Sequence, residues 1–194
     1  MKSIIILCGG RSKRMGKDKG SLLLDGKPML LHVLDTVGRI AEEIILVLRD
    51  KKQVGDYSQI LKEKNIKIVT DKSKDQGPLM GILTGLSNIK SEQAQILPCD
   101  SPFISSNFVL NMFEAIESSN YDALIPLWAD GHTEPLHSIY KKKNIKKIEE
   151  LIKDGKRNVN SLIESINVRY IKVEELDPSL RSFQNINTVN DINK

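Results

Sequence analysis

The sequence predicts an α/β fold in which short buried strands alternate with amphipathic helices around an open parallel sheet. Three segments carry this prediction, because each begins with an apolar run, breaks into a polar loop and continues as a helix. Their apolar runs span residues 4–8, 67–70 and 95–99. The ligand crevice of such a sheet lies outside the carboxyl ends of its strands. We therefore expect the residues that follow these runs, Gly9, Asp71 and Asp100, to share one site.

The first loop, residues 9–20, contains four glycines and five lysines or arginines. Glycine lets backbone N–H groups turn toward an anion, and charge of one sign favours a polyphosphate. The loop matches neither a dinucleotide fingerprint nor a Walker A sequence, because Gly9 and Gly10 are adjacent and five residues separate Gly10 from Gly16. The alternative is a solvated basic turn, but such a turn needs neither this many glycines nor charge of one sign. The sequence predicts a phosphate-binding loop.

The remaining elements follow in order along the chain. Pro28 opens a helix after an Asp25-Gly26 turn, and its apolar residues recur at helical spacing as far as Ala41. We then expect a strand over 44–48, a weak helix over 56–64, a strand over 67–70, a helix from 77, a strand over 95–99, a helix around 108–116, a strand over 123–127, a hairpin at 130–131 that returns over 136–140, helices over 145–152 and 159–166, a strand over 168–173 and a last helical turn. No repeat or linker interrupts them, so we expect one domain over residues 1–194.

The composition limits the class of function. A net charge of +4 and an aromatic content of 5% are low for a protein that binds nucleic acid. We therefore expect no nucleic acid as a partner. The apolar runs are too short for a signal sequence or a membrane span, so we expect no membrane partner either. Cys8 and Cys99 lack the spacing of a zinc site or a disulfide framework, which fits a reducing cytoplasm.

Asp100 is the residue best placed to bind a metal. A carboxylate that emerges from a buried strand toward a polyphosphate can hold Mg²⁺ while phosphates and water complete its coordination. The local sequence supports an alternative equally well, in which Asp100 or Ser101 caps the helix that follows Pro102. Asp71 has a similar alternative as a turn residue.

Lys19 and Arg14 are the basic residues that we expect on the phosphate oxygens, with Arg14 as a bidentate donor and Lys19 as a point charge. The other basic residues of the loop are weaker candidates, namely Arg11, Lys13 and Lys17. His132 and His137 have no serine or cysteine nucleophile nearby in sequence, and His32 lies on an apolar helix face. We therefore expect no histidine base and no catalytic triad.

Several short motifs together resemble those of the molybdenum cofactor guanylyltransferases. In chain order they are Leu7-Cys8-Gly9-Gly10, Arg14-Met15-Gly16, Asp18-Lys19, Gly26-Lys27-Pro28, Gly77-Pro78-Leu79-Met80-Gly81, Pro98-Cys99-Asp100-Ser101-Pro102 and Asn185-Ile186-Asn187-Thr188. The resemblance covers almost the whole chain. It implies a three-layer sandwich with a mostly parallel sheet, similar to the nucleotide-diphospho-sugar transferases and Rossmann-like in its layering.

The resemblance also implies an activity, the transfer of GMP from GTP to the terminal phosphate of molybdopterin, with Mg²⁺ as cofactor. The positions that it assigns to the nucleotide are Leu7, Cys8, Gly9, Lys19, Asp71 and Asp100, with Asp100 also on Mg²⁺. We further expect Gly10 to contact the nucleotide, and Lys19, Arg14 and Asp100 to be the catalytic residues. The chain departs from the family at Cys8, where alanine is common, and at Leu48-Arg49-Asp50, where relatives often have an asparagine.

For the acceptor we expect Arg157, which follows a glycine near a helix start, the hairpin over 130–135, and Asn185 and Asn187. We expect GTP to be preferred over CTP, UTP and ATP, and only transient contact with proteins that handle the cofactor. Other enzymes with a related first loop stay open, namely a cytidylyltransferase for the same cofactor and a sugar-phosphate nucleotidyltransferase. A nucleotide sensor or an RNA-binding module is the non-enzymatic alternative.

Overall fold

A computed structural model describes residues 1–9, 18–62, 65–71, 77–117 and 120–186 of the chain. Within these ranges the predicted α/β architecture is confirmed, with a seven-stranded, mostly parallel sheet between two layers of helices. No helix in these ranges is both long and apolar enough to cross a membrane.

The central sheet has the strand order β5-β4-β1-β6-β8-β7-β9. Its strands are β1 (Ser3–Leu7), β4 (Glu43–Leu48), β5 (Lys67–Thr70), β6 (Gln93–Pro98), β7 (Ala123–Leu127), β8 (Ile139–Lys141) and β9 (Val168–Lys172), and the two-residue strands β2 (Leu23–Leu24) and β3 (Lys27–Pro28) form a separate hairpin. Strand β8 runs antiparallel between β6 and β7. The other six strands point the same way, so their carboxyl ends lie at one edge.

Seven helices accompany these strands in the described ranges: α1 (Met29–Val37), α2 (Lys51–Tyr57), α3 (Gly77–Leu86), α4 (Ser106–Ile116), α5 (Ile145–Lys153), α6 (Asn160–Ile163) and α7 (Val173–Leu176). Helices α1, α2, α4 and α7 contribute to the core on one face of the sheet, and α3, α5 and α6 to the core on the other. In β1, Ile4 and Ile6 belong to the first core and Ile5 to the second. Because side chains alternate across a strand and both faces are covered, this strand is apolar from Ile4 to Leu7.

The second helix is where the sequence prediction is wrong. We expected a helix over 56–64, whereas α2 begins at Lys51 and ends at Tyr57. Asp50 caps it, since its carboxylate accepts a hydrogen bond of 3.0 Å from the backbone N of Gln53. The side chains that α2 buries are Gln53 and Tyr57. A buried face this polar leaves no apolar periodicity to detect.

Smaller differences occur at other element ends. Helix α1 stops before Ala41, α6 is shorter than the expected helix over 159–166, and α7 begins where the strand over 168–173 was expected to finish. Strand β8 pairs with the first residues of β7, so the turn at 130–131 belongs to a longer excursion held by a bridge between Leu127 and Thr133. The predicted last helical turn lies outside the described residues.

Candidate functional site

The carboxyl edge of the sheet brings Gly9, Asp71 and Asp100 together, as the sequence predicts. Strand β1 pairs with β4 on one side and β6 on the other, and β5 lies beyond β4. A Cβ built on Gly9 would lie 3.4 Å from Oδ2 of Asp71, so the start of the first loop lies next to this carboxylate. The residue before Asp100, Cys99, donates a backbone hydrogen bond of 3.2 Å to the carbonyl of Leu7.

Lys19 and Asp100 form an ion pair at this edge. Nζ of Lys19 lies 2.7 Å from Oδ2 of Asp100, and the two side chains are 30% and 15% exposed. Lys19 lies near the end of the first loop and begins a short 3-10 turn that ends at Ser21. The pair therefore joins the end of that loop to the end of β6, and places a cation and a carboxylate side by side at the mouth of the crevice.

The alternative in which Asp100 or Ser101 caps the next helix is wrong. Helix α4 starts at Ser106, and Ser105 is its cap, because the Ser105 hydroxyl accepts a hydrogen bond of 3.1 Å from the backbone N of Phe108. The Asp100 carboxylate is therefore not used as a helix cap. Its backbone carbonyl accepts a bond of 2.9 Å from Ile186, which holds the C-terminal segment against the same loop.

The donor set around Asp100 fits Mg²⁺ that arrives with a polyphosphate. In the ranges that the structure describes, no cluster of three or more His, Cys, Asp or Glu side chains could hold a metal ion by itself. Magnesium differs from zinc or calcium in this respect, since it commonly takes one or two protein carboxylates and completes its octahedron with phosphate oxygens and water. The carboxylate of Asp100 is consistent with that mode of binding.

Asp71 is a half-buried hydrogen-bond acceptor. Oδ1 accepts a bond of 3.0 Å from the hydroxyl of Thr84 on α3, which leaves Oδ2 on the side of Gly9. Burial raises the pKa of the Asp71 carboxyl, and the hydrogen bond from Thr84 partly opposes that rise. Sequence analysis missed Thr84, because a lone threonine on a helix carries no signal of its own.

The side chain at the end of β1, just before the first loop, is approached closely by α3. A Cβ built on Gly81 would lie 3.2 Å from Cδ2 of Leu7, so a larger residue there would press on the end of β1. Cys8 is buried next to it, with 2% of its surface exposed. The remaining predicted loop residues, Gly10 and Arg14, and the acceptor candidate Asn187 lie outside the described residues.

Asn185 is joined to the Asp100 loop through Ser101. The Ser101 hydroxyl donates a hydrogen bond to Oδ1 of Asn185 and lies 3.0 Å from Nε2 of His137. Both Ser101 and His137 are buried. The structure thus places one predicted acceptor residue beside the predicted metal ligand. It also gives His137, for which we expected no catalytic part, a structural role at the site.

The segment after β7 forms an aromatic border to the crevice. The Trp128 ring stacks on His132 with ring centroids 5.2 Å apart, and its Nε1 donates a hydrogen bond of 2.9 Å to Oε1 of Glu134. Burial alone would raise the pKa of Glu134. The nearby His137 ring and the bond from Trp128 outweigh that effect, so the pKa lies below its ordinary value. This is the hairpin over 130–135 that we expected on the acceptor side.

Arg157 contacts backbone carbonyls in the structure. Its Nη1 donates hydrogen bonds of 3.1 and 3.0 Å to the carbonyls of Ile152 and Lys156 at the end of α5. Its own carbonyl would lie 2.6 Å from a Cβ built on Gly77, where φ is +72°, so only glycine fits at that position. Arg157 therefore lies against the start of α3, and its contact with an acceptor stays a prediction.

Comparison with known proteins gives one consistent family. The model of the MobA-like NTP transferase domain matches residues 4–170. A probable molybdenum cofactor guanylyltransferase from Methanothermobacter thermautotrophicus is 40% identical over 194 residues, which cover 99% of this chain and 98% of the relative. One from Methanosarcina mazei is 36% identical, with 98% of this chain and 88% of the relative covered.

Solved structures agree with these relatives. Molybdopterin-guanine dinucleotide biosynthesis protein A from Archaeoglobus fulgidus superposes with a TM-score of 0.85 at 27% identity, covering 98% of this chain and 95% of that one. The 4-diphosphocytidyl-2C-methyl-D-erythritol synthase of Anaerococcus prevotii superposes with a TM-score of 0.70 at 20% identity, covering 98% and 92% of the two chains. The second likeness supports the fold alone.

Proposed function

This chain belongs to the family of MobA-like NTP transferase domains and is a nucleotidyltransferase, and from that premise we propose that it transfers GMP from GTP to the terminal phosphate of molybdopterin. The observation that carries the proposal is the Lys19–Asp100 pair at the carboxyl edge of β6, next to Gly9 and Asp71. The relatives at 40% and 36% identity, both named probable molybdenum cofactor guanylyltransferase, support the choice of acceptor and base.

The reaction needs little covalent chemistry from the protein. An oxygen of the molybdopterin phosphate forms a bond to the α-phosphorus of GTP, the bond from that phosphorus to the β-phosphate oxygen breaks, and pyrophosphate leaves. Phosphate monoesters have a second pKa of about 6, so the attacking phosphate is largely dianionic at neutral pH and requires no base. For this reason the proposal includes no histidine base.

Positioning and charge neutralisation then account for catalysis. Lys19 has the charge and the place to neutralise phosphate oxygens, and the glycine at residue 9 leaves the backbone accessible to the nucleotide. We assign Mg²⁺ to Asp100 together with phosphate oxygens. When bound, it supplies further neutralisation of the charge that develops on the reacting phosphate.

Guanine recognition requires acceptors for its N1–H and 2-amino group. We expect Oδ2 of Asp71, whose carboxylate is bonded by Thr84, and the backbone of residues 7–9 to supply these acceptors. The carbonyls of Leu7 and Cys8 already accept bonds from Cys99 and Gln53, so Asp71 and the Gly9 carbonyl are the first candidates. A site built on such pairs rejects a base that lacks the donors, because its buried polar groups are then left unpaired. ATP is disfavoured as well, since adenine carries a donor where guanine carries an acceptor.

A competition assay tests this proposal. The protein is mixed with Mg²⁺, molybdopterin cofactor and equimolar GTP, CTP, UTP and ATP, and the dinucleotide products and pyrophosphate are measured. We expect the guanine dinucleotide to dominate. A cytosine dinucleotide as the main product would contradict the choice of base, and turnover only with a sugar 1-phosphate would contradict the choice of acceptor. Binding of GTP without pyrophosphate release would indicate a sensor.

A further inference from the structure

Helix α2 directs two buried polar side chains at the two ends of the first loop. Gln53 is 1% exposed and Tyr57 is fully buried, and they lie four residues apart on one face of the helix. The first loop, residues 9–20, begins directly after Cys8, and Asp18 lies near its end. Both of those residues lie within reach of α2, which packs beside β4.

The Gln53 side chain connects three segments. Its Nε2 donates to the carbonyl of Cys8 at 2.6 Å and to Oδ2 of Asp18, while its Oε1 accepts a bond of 2.6 Å from the backbone N of Arg49. Both donors of the amide and its oxygen are therefore used. A buried amide with every polar atom bonded fixes the spacing between its partners, here Cys8, directly after β1, and Asp18, near the end of the first loop.

Tyr57 holds the same carboxylate from the other side. Its hydroxyl donates to Oδ1 of Asp18 at 2.5 Å, and the backbone N of Gly20 lies 3.3 Å from that oxygen. Burial raises the pKa of Tyr57 well above its ordinary value, so the phenol keeps its proton and stays a donor. A Cβ built on Gly20 would lie 2.5 Å from the Tyr57 oxygen, which explains a glycine at this position.

We propose that Gln53 and Tyr57 are positioning residues for nucleotide transfer: they fix Asp18 relative to Cys8 and thereby hold Lys19 within reach of Asp100 and of the polyphosphate. Lys19 follows Asp18 directly, and its ammonium lies 2.7 Å from the Asp100 carboxylate. This inference rests on the proposed function, because it assigns the two residues a part in the use of GTP.

Gln53 and Tyr57 are assigned to the reaction because the buried face of α2 that they form is polar. Burying an amide and a phenol contributes less to stability than burying apolar side chains of similar size, unless all their hydrogen bonds are made. Here the bonds are made, and they converge on Asp18, the neighbour of Lys19. Preorganisation of a charged group ahead of substrate binding accelerates phosphoryl transfer, because the group needs no reordering during the reaction.

A double-mutant cycle between Gln53 and Lys19 tests the proposal. Gln53→Leu, Lys19→Ala and the combination are compared with the wild type by kcat and KM for GTP and by the dissociation constant of magnesium tripolyphosphate. We expect Gln53→Leu alone to lower kcat/KM for GTP about tenfold, the size of a lost orienting contact. In the Lys19→Ala background the same change should have less than about a twofold further effect, since its target is gone.

A matched pair of tyrosines separates positioning from stability. Tyr57→Phe and Tyr140→Phe each remove a buried hydroxyl, because Tyr140 donates its hydroxyl to the carbonyl of Pro135 at 3.0 Å. We expect similar falls in melting temperature, but weaker tripolyphosphate binding only for Tyr57→Phe. If Gln53→Leu does not fold, Tyr57→Phe combined with Lys19→Ala completes the same cycle.

The outcomes distinguish this inference from the proposed function. Multiplicative, independent effects of the Gln53 and Lys19 changes would overturn the positioning role even if GTP is the substrate. If GTP is not used but tripolyphosphate binding shows the coupling, the choice of base fails and the positioning role stands. A wild-type protein that binds neither GTP nor tripolyphosphate would contradict both.

Discussion

The two halves of the sheet edge are built differently. The half formed by β5, β4, β1 and β6 carries glycine and charged groups. Gly9 lies next to Asp71, and Lys19 forms an ion pair with Asp100. The half formed by β8, β7 and β9 includes the antiparallel strand β8. Trp128, which directly follows β7, begins an aromatic segment there. Ser101 joins the halves through its contacts with His137 and Asn185.

The two halves suit different substrates. A polyphosphate needs close backbone approach, positive charge and a metal ligand, and the first half provides these. The second half offers stacked rings and a buried polar network, which suit a larger acceptor with a flat ring system. We therefore propose that GTP binds on the first half and the acceptor on the second.

The largest effect is expected at Asp100. Asp100→Asn keeps the shape of the side chain but weakens Mg²⁺ binding, and we expect turnover to fall on the order of 10²-fold or more, as for a lost electrostatic contact in a transition state. Asp35→Asn is the control, since Asp35 pairs with Lys27 on the surface. Wild-type activity of Asp100→Asn across a Mg²⁺ titration would refute its role as a ligand.

Lys19 should come next. Lys19→Ala should lower kcat/KM for GTP roughly 30-fold or more, because a charge that neutralises the polyphosphate is lost. Lys17→Ala, which changes a basic residue outside the described ranges, should have little effect. Steady-state kinetics of the two variants decide the matter: equal losses would mean that the loop acts only as a diffuse positive potential.

A smaller effect is expected at Arg157 and only on the acceptor. Arg157→Ala should raise KM for molybdopterin several-fold, roughly the loss of one charge-assisted contact, and leave GTP affinity intact. Because Arg157 also bonds carbonyls at the end of α5, melting temperature is measured alongside. A variant that loses stability but binds molybdopterin normally would show that Arg157 only caps the helix.

The smallest effect concerns acid stability. The pKa of Glu134 is lowered from about 4.5, so its stabilising contribution is complete above that value and is lost as the pH falls through the lower pKa of the folded state. Glu134→Gln should therefore flatten the fall in unfolding free energy below pH 4.5. Glu150→Gln, at an exposed surface pair, is the control. Parallel pH profiles for wild type and Glu134→Gln would contradict this account.

Much of the charged half could be predicted from sequence. Apolar runs followed by Gly9, Asp71 and Asp100 identify strand ends, and parallel strands bring those ends together whatever the loops do. Local signals were sufficient for these three residues because each comes directly after a buried apolar run. The direct contact between Lys19 and Asp100, 81 positions apart, was not predicted, because Lys19 lies near the end of the first loop and not after a strand.

The contacts that sequence could not predict are the buried polar ones. The partners of Gln53, Tyr57, Thr84 and His137 are distant in the sequence, so no local pattern marks these residues as buried. Gln53 and Tyr57 also lie on a helix without an apolar period, whereas the period of the helix that carries Thr84 comes from its leucine and isoleucine residues. The misplaced helix around Gln53 has the same cause. Buried hydrogen bonds depend on tertiary packing, which a pattern of hydrophobic residues does not encode.

The division of the edge can be tested directly by titrating GTP and molybdopterin separately against the wild type, Lys19→Ala and Asn185→Ala. We predict a crossed pattern, in which Lys19→Ala loses affinity for GTP alone and Asn185→Ala for molybdopterin alone. If both variants lose affinity for the same ligand, the two halves do not bind different substrates and the account is contradicted.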